Sequence, residues 1–276
     1  MIIHSFSVIA LCKVKNSSML NKNLILFKKS NLTQFFTTAF KSSSPSKKFD
    51  NLSVNSSDLV VWGSNLGLTL GGRLTRVQAN MIKIPFYVQG VMVGLILSDG
   101  WMQLPSDSNN ARLCFKQSTE KSLYVLSVFF ILSHYCSSFP HKTTGIRKGN
   151  PFSGLAFQTR QLPCITDMYN LFYINKTKVI PSNIYDLLTP VALAHLIMGD
   201  GAAAGKGLVL CTDSFSLEQT TLLLNVLIIK YGLDCTLRNT SSITSWRIYI
   251  KSKSIPNLRF IVLDHMHSSM LYKLGI

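Results

Sequence analysis

The sequence predicts an α+β chain made of two related, pseudo-symmetric units, each running helix, strands, helix, strands, helix. Three observations lead there. Two apolar runs, Met92 to Gly100 and Leu193 to Gly201, read almost alike, and each ends in Asp-Gly after a small residue. Further anchors recur at similar spacing: Asp99 and Asp200 lie 101 residues apart, Glu120 and Glu218 98, Pro163 and Pro256 93, Lys178 and Lys273 95. Between these anchors the same types of segment follow in the same order.

In the first unit Pro85 suits an opening helical turn, where its missing N–H costs nothing. The helix Phe86 to Asp99 is then stopped by Gly100. Arg112 to Gln117 alternates apolar and polar residues, as a half-buried strand does. Ser118-Thr-Glu120 supplies a hydroxyl and an acid to open an apolar helix reaching about Cys136. A polar loop through His141, Lys142 and Gly145 leads to a strand from Gly154 to Arg160. A helix follows from Pro163 to Tyr173, then a loop from Lys176 to Pro181. In the second unit Pro190 opens the helix that ends at Asp200-Gly201. Leu208 to Thr212 is a strand, Ser216 opens a helix to Tyr231, and Asp234–Arg238 with Trp246–Lys251 form a strand pair across a turn at 239–244. Pro256 begins the last helix.

Two boundaries precede the units. Residues 1–57 contain no acid before Asp50 and no arginine, and Lys41 to Lys48 is linker-like, so a basic, flexible extension is expected, similar in composition to an organelle transit peptide. Residues 58–84 form a lead-in punctuated by glycines, residues 85–185 the first unit and 186–276 the second.

Composition narrows the class of function. With 28 basic residues against 12 acidic ones the net charge is +16, which fits a polyanionic partner, above all nucleic acid. A mean hydropathy of +0.25 raises a membrane reading. A spanning helix needs about 20 apolar residues. The best stretch, Ser122 to Pro140, carries four further serines and a histidine, so no membrane span is expected. The six cysteines contain no Cys-x-x-Cys pair and read as buried thiols in a reducing compartment, and His265-Met-His267 reads as ordinary loop histidines. Gly201 to Gly207 lacks the spacing and hydroxyl of a phosphate loop and is expected to be a tight hairpin.

The two aspartates carry the chemistry. An acid at a helix C-terminus faces the negative end of the macrodipole, an unfavourable placement of about 0.3–1 kcal/mol. Bringing two such acids together adds repulsion, which a hard divalent cation with oxygen ligands would relieve. Paired acids and such a cation point to phosphodiester cleavage. Gly90, Gly94 and Ser98 fall four apart on one helix face and would let two such helices approach closely.

These runs resemble the two signature motifs of the two-repeat, monomeric LAGLIDADG homing endonucleases of organellar introns and of the related intron maturases. Met92 and Leu193 stand at the first motif letter, Leu95-Ile96 and Leu196-Ile197 at Leu-Ile, and Asp99-Gly100 and Asp200-Gly201 at Asp-Gly. Leu97 and Met198 depart from the motif, as does His195, which stands where glycine is usual. The resemblance covers residues 85 to 276. It implies two αββαββα repeats with the motif helices as a central two-helix interface and a saddle of antiparallel sheets on DNA. It implies that Asp99 and Asp200, helped by the carbonyls of Ser98 and Gly199, bind magnesium, for which calcium or manganese substitutes, and that Lys178 and Lys273 support catalysis.

On this reading the partner is double-stranded DNA with a long, asymmetric target, cut by a monomer in the mitochondrion or the chloroplast. The alternative of the same fold is a maturase that binds its host intron RNA. The residues expected to touch DNA are Arg112, Lys116, Gln117, Gln158 and Arg160 in the first repeat, and Arg238, Asn239, Arg247, Tyr249, Lys251 and Lys253 in the second, with Lys142, Arg147 and Lys148 reaching flanking phosphates.

Overall fold

A computed structural model of the chain describes residues 72–147, 149–240 and 245–276. The expectations for the 1–57 extension, for most of the lead-in, for Lys148 and for the tip of the 239–244 turn lie outside those residues.

The described chain opens with a short helix, α1 (Arg76–Met81), in the lead-in before the first repeat. Its start is a capping box: Thr75 accepts from the Gln78 backbone while the Gln78 side chain accepts from the Thr75 N–H. The first repeat follows as α2 (Phe86–Leu97), β1 (Trp101–Gln103), β2 (Arg112–Ser118), α3 (Ser122–Leu132), β3 (His141–Arg147), β4 (Asn150–Gln158) and α4 (Pro163–Phe172). A two-residue ladder, β5 (Tyr173–Ile174) with β6 (Thr177–Lys178), and the single turn α5 (Ile184–Leu187) connect to the second repeat. That repeat runs α6 (Pro190–Asp200), β7 (Gly201–Ala204), β8 (Gly207–Leu210), α7 (Leu217–Tyr231), β9 (Cys235–Asn239), β10 (Trp246–Ile250) and α8 (Ile255–Val262), and a 3-10 segment, Ser268–Leu274, closes the chain. The order αββαββα therefore occurs twice.

Each repeat builds a four-stranded antiparallel sheet, in the order β1-β2-β4-β3 in the first and β7-β8-β10-β9 in the second. The β3–β4 hairpin corrects the loop expected at 140–148. Its threonines and Ile146 suit a strand, and Gly149 makes the turn at φ +80°. The segment at 176–181 likewise begins within a hairpin, because Asn175 and Lys176 both take left-handed backbone angles. In β2, β8 and β10 one row is apolar and buried. Phe115 and Phe157 meet edge-on beneath the first sheet, while Leu208, Leu210, Ile248 and Ile250 lie under the second.

At the centre α2 and α6 are apolar all round and buried from Val88 to Leu97 (Gln89 excepted) and from Val191 to Gly199, as helices wrapped by protein must be. They meet through equivalent residues. Gly90 faces Val191, Gly94 faces His195, and Ser98 faces Gly199. A Cβ on Gly94 would collide with the Ala192 carbonyl and lie 2.5 Å from the His195 Cβ, so the crossing requires a glycine there. Buried His195 is partnered: its Nδ1 lies 2.9 Å from the Tyr124 hydroxyl of α3. Among the described residues no helix is long and apolar enough to cross a membrane.

Candidate active site

The helix crossing delivers both aspartates to one place. α2 ends at Leu97 because Ser98 leaves the helical region and its hydroxyl turns back 2.8 Å onto the Gly94 carbonyl. Asp99 therefore stands just beyond the helix, whereas Asp200 is the last residue of α6. Both are half-buried. A Cβ on Gly199 would lie 3.3 Å from Asp99 Oδ2, which puts the first carboxylate against the residue preceding the second. Burial, with the charge of Asp99 adding to it, pushes the Asp200 carboxyl up to about 6, against the pull of Lys178, Lys273 and Lys121.

Lys178 and Lys273 reach the same cluster from two different elements. Lys178, at the end of β6, donates to the carbonyls of Ile96 at 2.9 Å, Gly100 at 3.1 Å and Ser98 at 3.2 Å. Its ammonium thus satisfies carbonyls that the end of α2 leaves without helical partners. Lys273, from the closing 3-10 segment, donates to the Gly199 carbonyl and is only 6% exposed. Burial, aided by the nearby charge of Lys121, lowers it to about 8. The carbonyls of Ser98 and Gly199, which the family resemblance implies as metal ligands, are here the acceptors of the two ammonium groups.

Gln117 belongs to this cluster and not to the outward face of its strand. The Gln117 Nε2 donates to Asp99 Oδ2, and the side chain is 8% exposed. The alternation of β2 carried the signal: Leu113, Phe115 and Gln117 share the buried row, and Arg112 and Lys116 the other. Lys121, just after that strand, is a second group that the reading by motif and charge passed over.

The residues expected on DNA fall into three groups. Arg112, Lys116 and Gln158 share the outward row of the first sheet, with Arg112 donating to Gln103 and Lys116 lying over the Phe152 ring. Arg238, Arg247, Tyr249 and Lys251 share the outward row of the second, with Arg238 stacked 3.4 Å from the Tyr249 centroid, Arg247 clamped to Asp213, and Lys251 and Lys253 both bound to Asp234. Lys142 and Asn239 lie in the opposite rows, at sheet edges, and Arg160 lies beyond β4, half-buried.

The profile of the LAGLIDADG DNA endonuclease family matches residues 89–258, more than half of the chain, so the protein belongs to that family. Among its relatives, the cytochrome b mRNA maturase bI2 of Debaryomyces hansenii is 31% identical over 189 residues, covering 67% of this chain and 72% of that protein. The intron-encoded endonuclease ai4 of Dictyostelium discoideum is 34% identical over 154 residues, covering 54% of this chain and 97% of that protein. The solved structure of the homing endonuclease I-WcaI bound to its DNA recognition sequence shares the fold, with a TM-score of 0.68 at 22% identity over 76% of this chain and 96% of that one.

Proposed function

We propose that the protein is a monomeric, mitochondrial, site-specific endonuclease that hydrolyses both strands of a DNA target, with magnesium as its cofactor. The observation that carries this reading is the gathering of Asp99, Asp200, Lys178, Lys273 and Gln117 at the ends of the two crossed helices. Two half-buried carboxylates, that of Asp200 pushed up to about 6 by burial and by the charge of Asp99, are a pair of hard oxygen donors that a divalent cation suits. Among the described residues no cluster of three or more acids, histidines or cysteines is found, which fits an ion that takes its remaining ligands from water and phosphate oxygens. Magnesium held by Asp99 and Asp200 would polarise a phosphoryl oxygen and make water a better nucleophile at neutral pH. Gln117 orients the Asp99 carboxylate. Lys178 and Lys273 fix the helix ends and place positive charge where the phosphate gains negative charge.

The rows around Arg112 and Arg247 would position and read the duplex, with arginine suited to guanine edges. The test is cleavage of a plasmid carrying the intron-less insertion site of the host gene. Cutting should require a divalent ion, and Asp99→Asn and Asp200→Asn should each lose at least about 10²-fold in rate while still binding. If the folded parent protein leaves that plasmid intact with magnesium present, the nuclease reading is wrong. The maturase relative favours a second reading, binding of the host intron RNA to help it splice. Stimulated splicing of that intron in vitro would establish it, alone or beside cleavage.

A further inference from the structure

We propose that a cleft beside the active site seats one unpaired nucleotide of the DNA that lies on the first sheet. This rests on the DNA-binding part of the reading above, and not on cleavage. The cleft holds about 410 Å³ and is lined by Gln103, Leu104, Arg112, Tyr169, Tyr173 and Lys176. These residues come from β1, which is an edge strand, the start of β2, the end of α4 and the β5–β6 hairpin. The volume falls within the range of sites for small ligands. It is room for one nucleotide and too little for a base pair with its two backbones. The chain sets the cleft close to the acids. Gln103 is four residues beyond Asp99, and Lys176 is two residues before Lys178. Four residues of chain reach at most about 14 Å.

The lining matches the parts of a nucleotide. Tyr169 and Tyr173 are stacked, with ring centroids 4.7 Å apart and planes 7° from parallel, and a flat base laid on them extends the stack. The Tyr173 ring is held in place because its hydroxyl accepts at 2.9 Å from the Met102 N–H on β1. Arg112 is fixed by Gln103, whose Oε1 accepts from its Nε at 3.1 Å and its Nη2 at 2.9 Å. Gln103 is neutral, so the guanidinium keeps its charge for a phosphate oxygen. Among the described residues lining the cleft there is no acid, and its two cations, Arg112 and Lys176, call for an anion.

Lys176 bears an independent mark of function. The loop of the β5–β6 hairpin is two residues long, Asn175 and Lys176, with φ of +50° and +63°. Such a turn favours glycine at its second place, because a lysine Cβ is crowded in the left-handed region. Lys176 is exposed and gains no core packing for this strain, but its ammonium is kept at the mouth of the cleft. Continuity assigns the occupant to DNA. Gln103 and Arg112 are partners in the β1–β2 register and belong to the outward row proposed to meet the duplex. A nucleotide displaced from that duplex enters the cleft without leaving Arg112. The cleft favours a nucleotide already unpaired, since no base pair then has to be broken.

The experiment titrates the full chain, in a chelating buffer, with a short fluorescent duplex of arbitrary sequence. One form is blunt and fully paired, and the other carries a single unpaired deoxynucleotide. The second should bind about tenfold tighter, the scale of one base laid on an aromatic ring. Lys176→Gly suits the turn and should fold as the parent does, yet it should lower that preference about threefold, the scale of one contact. Tyr173→Leu should abolish the preference, and Tyr173→Phe, which keeps the ring, should retain most of it. An iodinated deoxyuridine at the unpaired position should cross-link on irradiation to Tyr169 or Tyr173. Equal affinity for the two duplexes, a preference unchanged in Lys176→Gly and Tyr173→Leu, or a cross-link elsewhere overturns the proposal and leaves the DNA reading intact. A preference seen only when the unpaired nucleotide is a ribonucleotide overturns the assignment to DNA. Failure to bind either duplex sinks both readings.

Discussion

At the helix crossing, α2 presents Gly90, Gly94 and Ser98, and α6 presents Val191, His195 and Gly199 at the equivalent positions. Each residue meets its own counterpart, as a twofold axis would require, yet each pair joins one glycine to one larger residue. A pair of α2 helices would set glycine against glycine at two of the three levels and lose packing there. A pair of α6 helices would set histidine against histidine and valine against valine where backbones now touch. The two repeats are thus complementary halves at this seam.

Exchanging residues across that seam is the severest way to break the comparison. Gly94→His places a side chain against the Ala192 carbonyl, which is backbone and cannot turn away. It should cost more than about 3 kcal/mol, the upper end of ordinary overpacking. The reverse change, His195→Gly, empties the crossing and strands the Tyr124 hydroxyl, whose partner is the His195 ring. A loss of about 3–5 kcal/mol is expected from the cavity and the unpaired donor together. Thermal and urea unfolding of both variants measure this, and losses below about 1 kcal/mol would mean the seam tolerates symmetry.

Asp200 allows a second comparison, between the two ends of one energy balance. Its folded pKa of about 6 stands above the ordinary value of 3.8, so between those pH values the folded protein holds more protons than the unfolded chain. Stability therefore falls as pH rises from about 4 to 6, and the whole cost is present above pH 6. In a chelating buffer Asp200→Asn should stabilise the protein at pH 7 by about 1–2 kcal/mol, after allowing for solvent screening of a half-buried group. The gain should disappear below pH 4. A gain independent of pH would assign it to packing, and no gain at all would show that the lysines already neutralise the acid.

How much of this could be read from the sequence follows from which signals are local. Asp99 and Asp200 were legible because an acid ending an apolar run is unusual and occurs twice, and both lysines because the motif resemblance pointed to them. The Gln117 role was not read from charge and residue type, which place a polar strand residue on DNA, although the period-two row with Leu113 and Phe115 placed it inward. The β3 strand read as a loop because Gly145 and the polar residues around it outweighed its threonines, and only pairing with β4 settles such a segment. Lys121 had no signal of its own. Its relation to Asp200 exists only once the two repeats are packed.

The smallest expected effect separates the two outward rows. In the first sheet Arg112 and Lys116 rest on neutral partners, Gln103 and the Phe152 ring, and keep their charge for a polyanion. In the second, Arg247 is paired with Asp213, and Lys251 and Lys253 share Asp234. Those pairs are largely exposed, with side-chain exposures of 42% and 39% in the Arg247–Asp213 pair, so they add little to stability. Asp213→Ala should shift unfolding by no more than about 0.5 kcal/mol. Its effect belongs instead to binding, because it frees one cation on the row proposed to face DNA. The slope of log affinity against log salt for non-specific duplex should steepen by about 0.9, the release of one more counterion. Arg112→Ala should make the same slope shallower by a similar amount, since that arginine has no acid to lose. If both variants leave the slope where it was, the two rows do not meet phosphate, and the contrast between them belongs to folding alone.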